Sequence, residues 1–389
     1  MGSLYFASDK AIFDALTQRS LTAAELRKVF LSRGIVISNE SDKKFLASRF
    51  SALFHDYYDY RNLSLLVGGR DGREKTTNVF VTTDVSKSTL TDALTSVKEW
   101  LVDDQHEQAE VSVQGDQIKL TVKYQKLDFS QSEFRQVIEK TAELTLEKQG
   151  NGWKITGPMN EKFKQVTEQL YSQIEIATEQ VVDTRAISLA GISDAGIRTN
   201  FLRSLIRNLK NMEVVDVVDV STFNPSGIDD DLDVSDEALL IEDPIDTVPD
   251  EDAADDDSGD LEHNKSIETP EIRRHKIIRI EKASLKGKGV LESKQLLELE
   301  SHGFYLWKIR WTARENLAGS EIVEFEAQFG NQIEFSDFSY IVKGVYNYHG
   351  GKYTKNRVRA TPVVEQALKE KLEQAAQKTL DDIEKGLSK

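Results

Sequence analysis

Between residues 229 and 262 the chain carries seventeen carboxylates and not one lysine or arginine. Such a stretch cannot enter a folded core, because it has few apolar side chains to bury and its like charges repel. It divides the chain and predicts a disordered acidic linker over residues 224–269. The formal charge of −16 is therefore a local property: without those seventeen negative charges the remainder stands at about +1. Leu239-Leu240-Ile241 forms a small apolar island inside the acid and reads as a docking peptide, not as core.

The other bounds are mostly exclusions. A length of 389 residues allows two or three domains. The absence of cysteine removes disulfides, thiolate zinc sites, iron–sulfur clusters and cysteine nucleophiles together. No apolar run reaches the roughly 18 residues that a membrane span needs. The first residues, Met1-Gly2-Ser3-Leu4-Tyr5-Phe6, lack the basic start and long apolar centre of a signal peptide. A cytoplasmic protein without cofactor, metal or membrane contact is the expectation.

Along the chain, residues 1–66 read as a helical module. Thr22-Ala23-Ala24-Glu25 is a capping box, Leu26, Val29 and Phe30 follow at helical spacing, and Gly34 stops the helix. A second helix carries Phe45, Leu46, Arg49, Phe50 and Leu53. Beyond the turn-rich Gly68-Gly69-Arg70-Asp71-Gly72, strands and helices alternate over residues 67–223. Hairpin turns are read at Gly115-Asp116 and Gly150-Asn151-Gly152, and a helix is read through Phe134, Val137 and Ile138. That order predicts a ferredoxin-like split βαβ sandwich with extra helices. After the linker, residues 270–389 read as a smaller C-terminal α/β domain. A strand is expected at 273–283, and a long last helix opens at Thr361-Pro362. The fold class is α+β.

Leu21-Thr22, Glu25-Leu26-Arg27, Arg33-Gly34-Ile35, and Lys43 and Lys44 leading to Leu46 and Arg49 resemble the SAP-type helix–extended loop–helix module. The resemblance covers residues 20–54 only. It implies that Arg33, Lys43, Lys44 and Arg49 contact nucleic-acid backbone, where their charges would pair with phosphates.

Three further constellations are basic. Arg203, Arg207 and Lys210 share one helix face at i, i+4 and i+7. Lys286-Gly287-Lys288-Gly289, between a strand and a helix, has the chemistry of a phosphate cradle but lacks a Walker or three-glycine spacing. Tyr348, Lys352, Tyr353, Lys355, Arg357 and Arg359 interleave rings with cations, as a surface that stacks bases and holds phosphates does. Enzyme signals are weaker. Gly191-Ile192-Ser193-Asp194-Ala195 imitates a nucleophile elbow, but Ser193 or Asp194 is more simply a helix N-cap. Glu321, Glu324 and Glu326 near His302 have ligand types that suit magnesium.

These features predict a non-catalytic nucleic-acid-associated interaction protein, an accessory subunit of a larger assembly. Its acidic segment would compete for its basic surfaces. The alternatives are a divalent-metal nuclease or phosphate-handling enzyme, and a protein-only scaffold whose acidic segment binds a basic partner.

Overall fold

The computed structural model describes residues 7–18, 21–67, 73–129, 134, 136–225, 281–317 and 319–387. The chain is α+β and falls into two compact units, Met1–Ala186 and Ile187–Lys389. No described helix is long and apolar enough to cross a membrane.

The first unit opens with four helices: α1 (Asp9–Leu16), α2 (Ala23–Ser32), α3 (Lys43–Ser51) and α4 (Tyr57–Val67). Each of the first three starts where a side chain captures an orphan amide. Ser8 accepts from Ala11, Asp42 accepts from Phe45, and Thr22 and Glu25 form the reciprocal capping box. Their apolar faces meet in a core of Ile12, Leu16, Leu26, Phe30, Leu46, Phe50 and Leu63. The Phe30 and Phe50 rings meet edge to face at 5.2 Å.

The rest of this unit is a sheet with two helices: β1 (Thr76–Val81), α5 (Lys87–Asp103), β2 (Gln108–Gln114), β3 (Gln117–Leu127), β4 (Val137–Gln149), β5 (Gly152–Pro158), α6 (Glu161–Thr178) and β6 (Thr184–Ala186). The strand order is β2-β3-β4-β5-β1, antiparallel throughout, and β6 pairs with β1. Alternate residues of the strands (Ile118, Leu120, Val122; Ala142, Leu144, Leu146) share a core with Leu94 and Val97 of α5 and Val166 and Leu170 of α6. Both hairpins expected from Gly115 and Gly150 form, each glycine in the left-handed region.

The helix expected through Phe134, Val137 and Ile138 does not form. Val137 and Ile138 open β4, whose register with β3 runs from Leu127↔Val137 to Gln117↔Glu147. Two apolar residues cannot set a helical period against so long a ladder. Phe134 is instead a buried plug in the helical core, stacked on Tyr60. Without that helix the order becomes β-α-β-β-β-β-α, and the split βαβ crossover gives way to a four-strand meander.

The second unit contains α7 (Ala195–Arg207), β7 (Met212–Phe223), β8 (Lys282–Lys286), a 3-10 turn (Val290–Glu292), α8 (Lys294–Ser301), β9 (Tyr305–Glu315), β10 (Ile322–Asn331), β11 (Ser336–Tyr346), the short pair β12 (Tyr348–His349) and β13 (Lys352–Tyr353), and α9 (Pro362–Leu387). The main sheet has the order β11-β10-β9-β7-β8, again antiparallel. Trp311, Phe325, Phe329 and Val342 share one core with Phe201 and Leu205 of α7 and Leu372 and Ala376 of α9.

Residues 187–223, read from sequence as the end of the middle domain, thus belong with the C-terminal residues. The reason is register: Val217 and Val220 of β7 lie opposite Trp311 and Ile309 of β9. The acidic segment falls outside the described residues, as does most of the strand expected at 273–283, of which Lys282 and Ala283 begin β8. The described residues on either side of it are paired. Phe223 lies opposite Lys282, and Asn224 N donates to Glu281 O at 2.9 Å. The acid is therefore an insertion between neighbouring strands of one unit.

Candidate nucleic-acid interface

Five cations of the helical module divide into two groups. Arg27 donates to the carbonyls of Ser38, Asn39 and Ser41, pinning the extended loop between α2 and α3. Arg33 donates to Phe54 O at 2.6 Å, lies 3.5 Å from Asp59 and covers the Phe50 ring. Lys43 donates to the carbonyls of Thr17 and Gln18 just beyond α1. Burial lowers the pKa of its amine, and the Glu25 carboxylate opposes that shift. These three cations hold the module together.

Lys44 and Arg49 project from α3 into solvent. Arg49 lies over the exposed ring of Phe45, 5.3 Å from its centroid. Asp42, the acidic neighbour of this pair, is the N-cap of α3, so its carboxylate is turned to the backbone. Beyond α3, Phe54 is 98% exposed, and at the start of α4 Tyr58 is 68% exposed, with Tyr57 beside it at 5.6 Å. A helix carrying exposed cations and an exposed aromatic ring can hold phosphates and stack bases. Of the four residues that the SAP-type resemblance picks out, Lys44 and Arg49 are available to a ligand and Arg33 and Lys43 are committed to the fold. Sequence reading passed over the exposed rings of Phe54 and Tyr58. Their signal is the run of aromatic residues from Phe54 to Tyr60, of which only Tyr60 is buried.

The other basic groups are placed as follows. Arg203 is held by Glu300 of α8 at 2.8 Å and Arg207 is the exposed last residue of α7, but Lys210 lies beyond the Asn208 cap, so the three cations do not share one helix face. Asp194 caps α7 through Ile197 N, which accounts for the elbow-like Gly191-Ile192-Ser193-Asp194-Ala195. In the glycine–lysine loop, Gly287 N donates to Val218 O and Gly289 N to the Asp216 carboxylate at 2.8 Å. The amide that would meet a phosphate thus already meets an anion. A 3-10 turn separates this loop from α8, which Ser293 caps. Lys286 and Lys288 are exposed around it.

On the C-terminal hairpin, Tyr348 packs against Tyr353 at 5.0 Å, and Tyr353 donates to Ser320 O. Lys352, Lys355 and Arg359 are exposed, the last 3.9 Å from Glu365. Arg357 turns inward to Glu324 at 2.7 Å. Gly344 makes this possible, since a Cβ there would sit 2.4 Å from Val358 O.

Arg357 joins a charged network on the second unit's sheet. Asp219 meets Arg310 at 3.2 Å and Lys286 at 3.8 Å. Glu324 meets Arg357 and, at 3.9 Å, Arg310, and accepts from Tyr346 at 2.7 Å. Glu326 lies 3.8 Å from Lys308 and 3.7 Å from Lys343. All three carboxylates are buried. Burial, with the Glu324 carboxylate adding to it, pushes the Tyr346 phenol up to about 12. Each acid is thus neutralised by cations, and among the described residues no group of three His, Asp or Glu converges as a metal site. His302 turns back to Glu298 O at 2.7 Å. The chain matches no protein-family model and no curated protein.

Proposed function

We propose that this protein binds nucleic acid through its helical module, as a non-catalytic accessory subunit of a cytoplasmic assembly. The observation that carries the reading is the division of labour on α2 and α3. Arg27, Arg33 and Lys43 are spent on closing loops, while Lys44 and Arg49 are exposed on α3, Arg49 over the exposed ring of Phe45. Rigid presentation lowers the entropy lost on binding, and point charges on a fixed helix suit a phosphate backbone. Lys352 and Lys355 supply a second, separate pair of exposed cations.

Binding of labelled single- and double-stranded DNA and RNA, followed by fluorescence anisotropy at low salt, tests this. Lys44→Glu with Arg49→Glu should weaken binding and reduce the salt slope by about one per lost phosphate contact. Unchanged binding would remove the module from the interface. A metal nuclease finds less support, because Glu324 and Glu326 have cation partners where a magnesium site would need free carboxylates.

A further inference from the structure

Strand β8 ends the main sheet of the second unit, and no described strand pairs with its outer side. Two hydrogen bonds fix which atoms lie there. Asn224 N donates to Glu281 O, and Gly287 N donates to Val218 O. In an antiparallel pair a residue turns its N–H and C=O to the same side, and neighbours alternate. The odd-numbered residues of β8 therefore face β7, and the backbone groups of Lys282, Ser284 and Lys286 point outward.

The side chains around this edge are also informative. Lys282, Lys286 and Lys288 are exposed, and Ala283 and Leu285 are half-buried, Leu285 against the main core. Lysines keep an edge from pairing with neutral or basic strands, but not from an acidic one. Open backbone groups, cations near both ends and, on the opposite face of the strand, the apolar Ala283 and Leu285 are complementary to an extended peptide that is apolar in the middle and acidic at both ends.

The chain contains that peptide. Asp236-Glu237-Ala238-Leu239-Leu240-Ile241-Glu242-Asp243 places carboxylates on either side of the apolar island. Extended, it puts Leu239 and Ile241 on one face. The dozen or so residues between Phe223 and Asp236 can span about 40 Å, whereas β8 is about 17 Å long. We propose that residues 236–243 add to the β8 edge in cis as a further strand, their carboxylates facing Lys282, Lys286 and Lys288. This assigns the insertion a resident partner and the edge an occupant.

Hydrogen exchange on the full chain, read by mass spectrometry, tests the proposal without nucleic acid, so its outcome is separate from the binding reading. Amides of residues 236–243 should exchange at least about tenfold more slowly than an unstructured peptide, with protection weakening as salt rises. Ser284→Pro removes an outward N–H while leaving the β7–β8 bonds in place, and should abolish the protection. Amides of β9 and β10 report in the same experiment whether the fold survives the substitution. Lys282→Glu with Lys286→Glu should act likewise, and decides the matter if the proline variant does not fold. Exchange of residues 236–243 at the unstructured rate in the wild type would overturn the proposal, as would protection that survives both variants. Protection that grows with protein concentration would place a second copy on the edge and overturn the cis assignment.

Discussion

Lys43 and Lys44 are adjacent in sequence and have opposite uses. Lys43 satisfies two carbonyls beyond α1, so Lys43→Met should lower stability by about 1–2 kcal/mol in urea titrations and leave nucleic-acid affinity nearly unchanged. Lys44→Glu should do the reverse. The sequence cannot separate them, because the distinction depends on where the end of α1 lies in space. Glu324 is a second residue whose role depends on its neighbours. Glu324→Gln removes the charge that pairs Arg357, and breaking such a buried pair typically costs about 3–5 kcal/mol. The Tyr346 phenol, raised by burial and by Glu324, gives a pH signature. Between its unfolded value and about 12 the folded state binds more protons than the unfolded state, so stability falls as pH rises through that window. Below that window this contribution is complete. Tyr346→Phe should remove this part of the alkaline fall in urea midpoints measured at about pH 8 and about pH 11.

At the scale of elements, the clearest test concerns the insertion. Because Phe223 and Lys282 are register partners, replacing residues 226–279 with Asn-Gly closes β7 and β8 as a short hairpin. The second unit should keep its near-ultraviolet spectrum and a melting temperature within a few degrees, since a long loop adds little closure entropy. Loss of the fold would mean that the insertion is part of the core. Elements set by local chemistry were readable from sequence: the Thr22 capping box, the glycine hairpins, and α9 with proline at its first position. Elements set by distant partners were not. Val137 and Ile138 become strand because β3 is there to pair them, and β7 joins the C-terminal unit because β9 carries its register. The candidate surface divides in the same way. Arg49 on Phe45 follows from an i, i+4 spacing, whereas the inward turn of Arg357 depends on a close approach at Gly344.

For the whole molecule, net charge is a poor guide. The residues before the acidic run carry 28 Lys and Arg against 31 Asp and Glu, and those from Pro270 onward carry 21 against 17. The seventeen carboxylates between residues 229 and 262 thus make an acidic chain out of near-neutral units. Deleting residues 229–262 should tighten nucleic-acid binding at low salt and steepen its salt dependence, because fewer fixed anions compete for the same cations. The central claim is that Lys44 and Arg49 meet phosphates, and a salt titration of binding by anisotropy tests it most directly. The account predicts a log–log salt slope that is about two smaller for Lys44→Glu with Arg49→Glu than for the wild-type chain, with Lys43→Met unchanged. Equal slopes for all three proteins would contradict it.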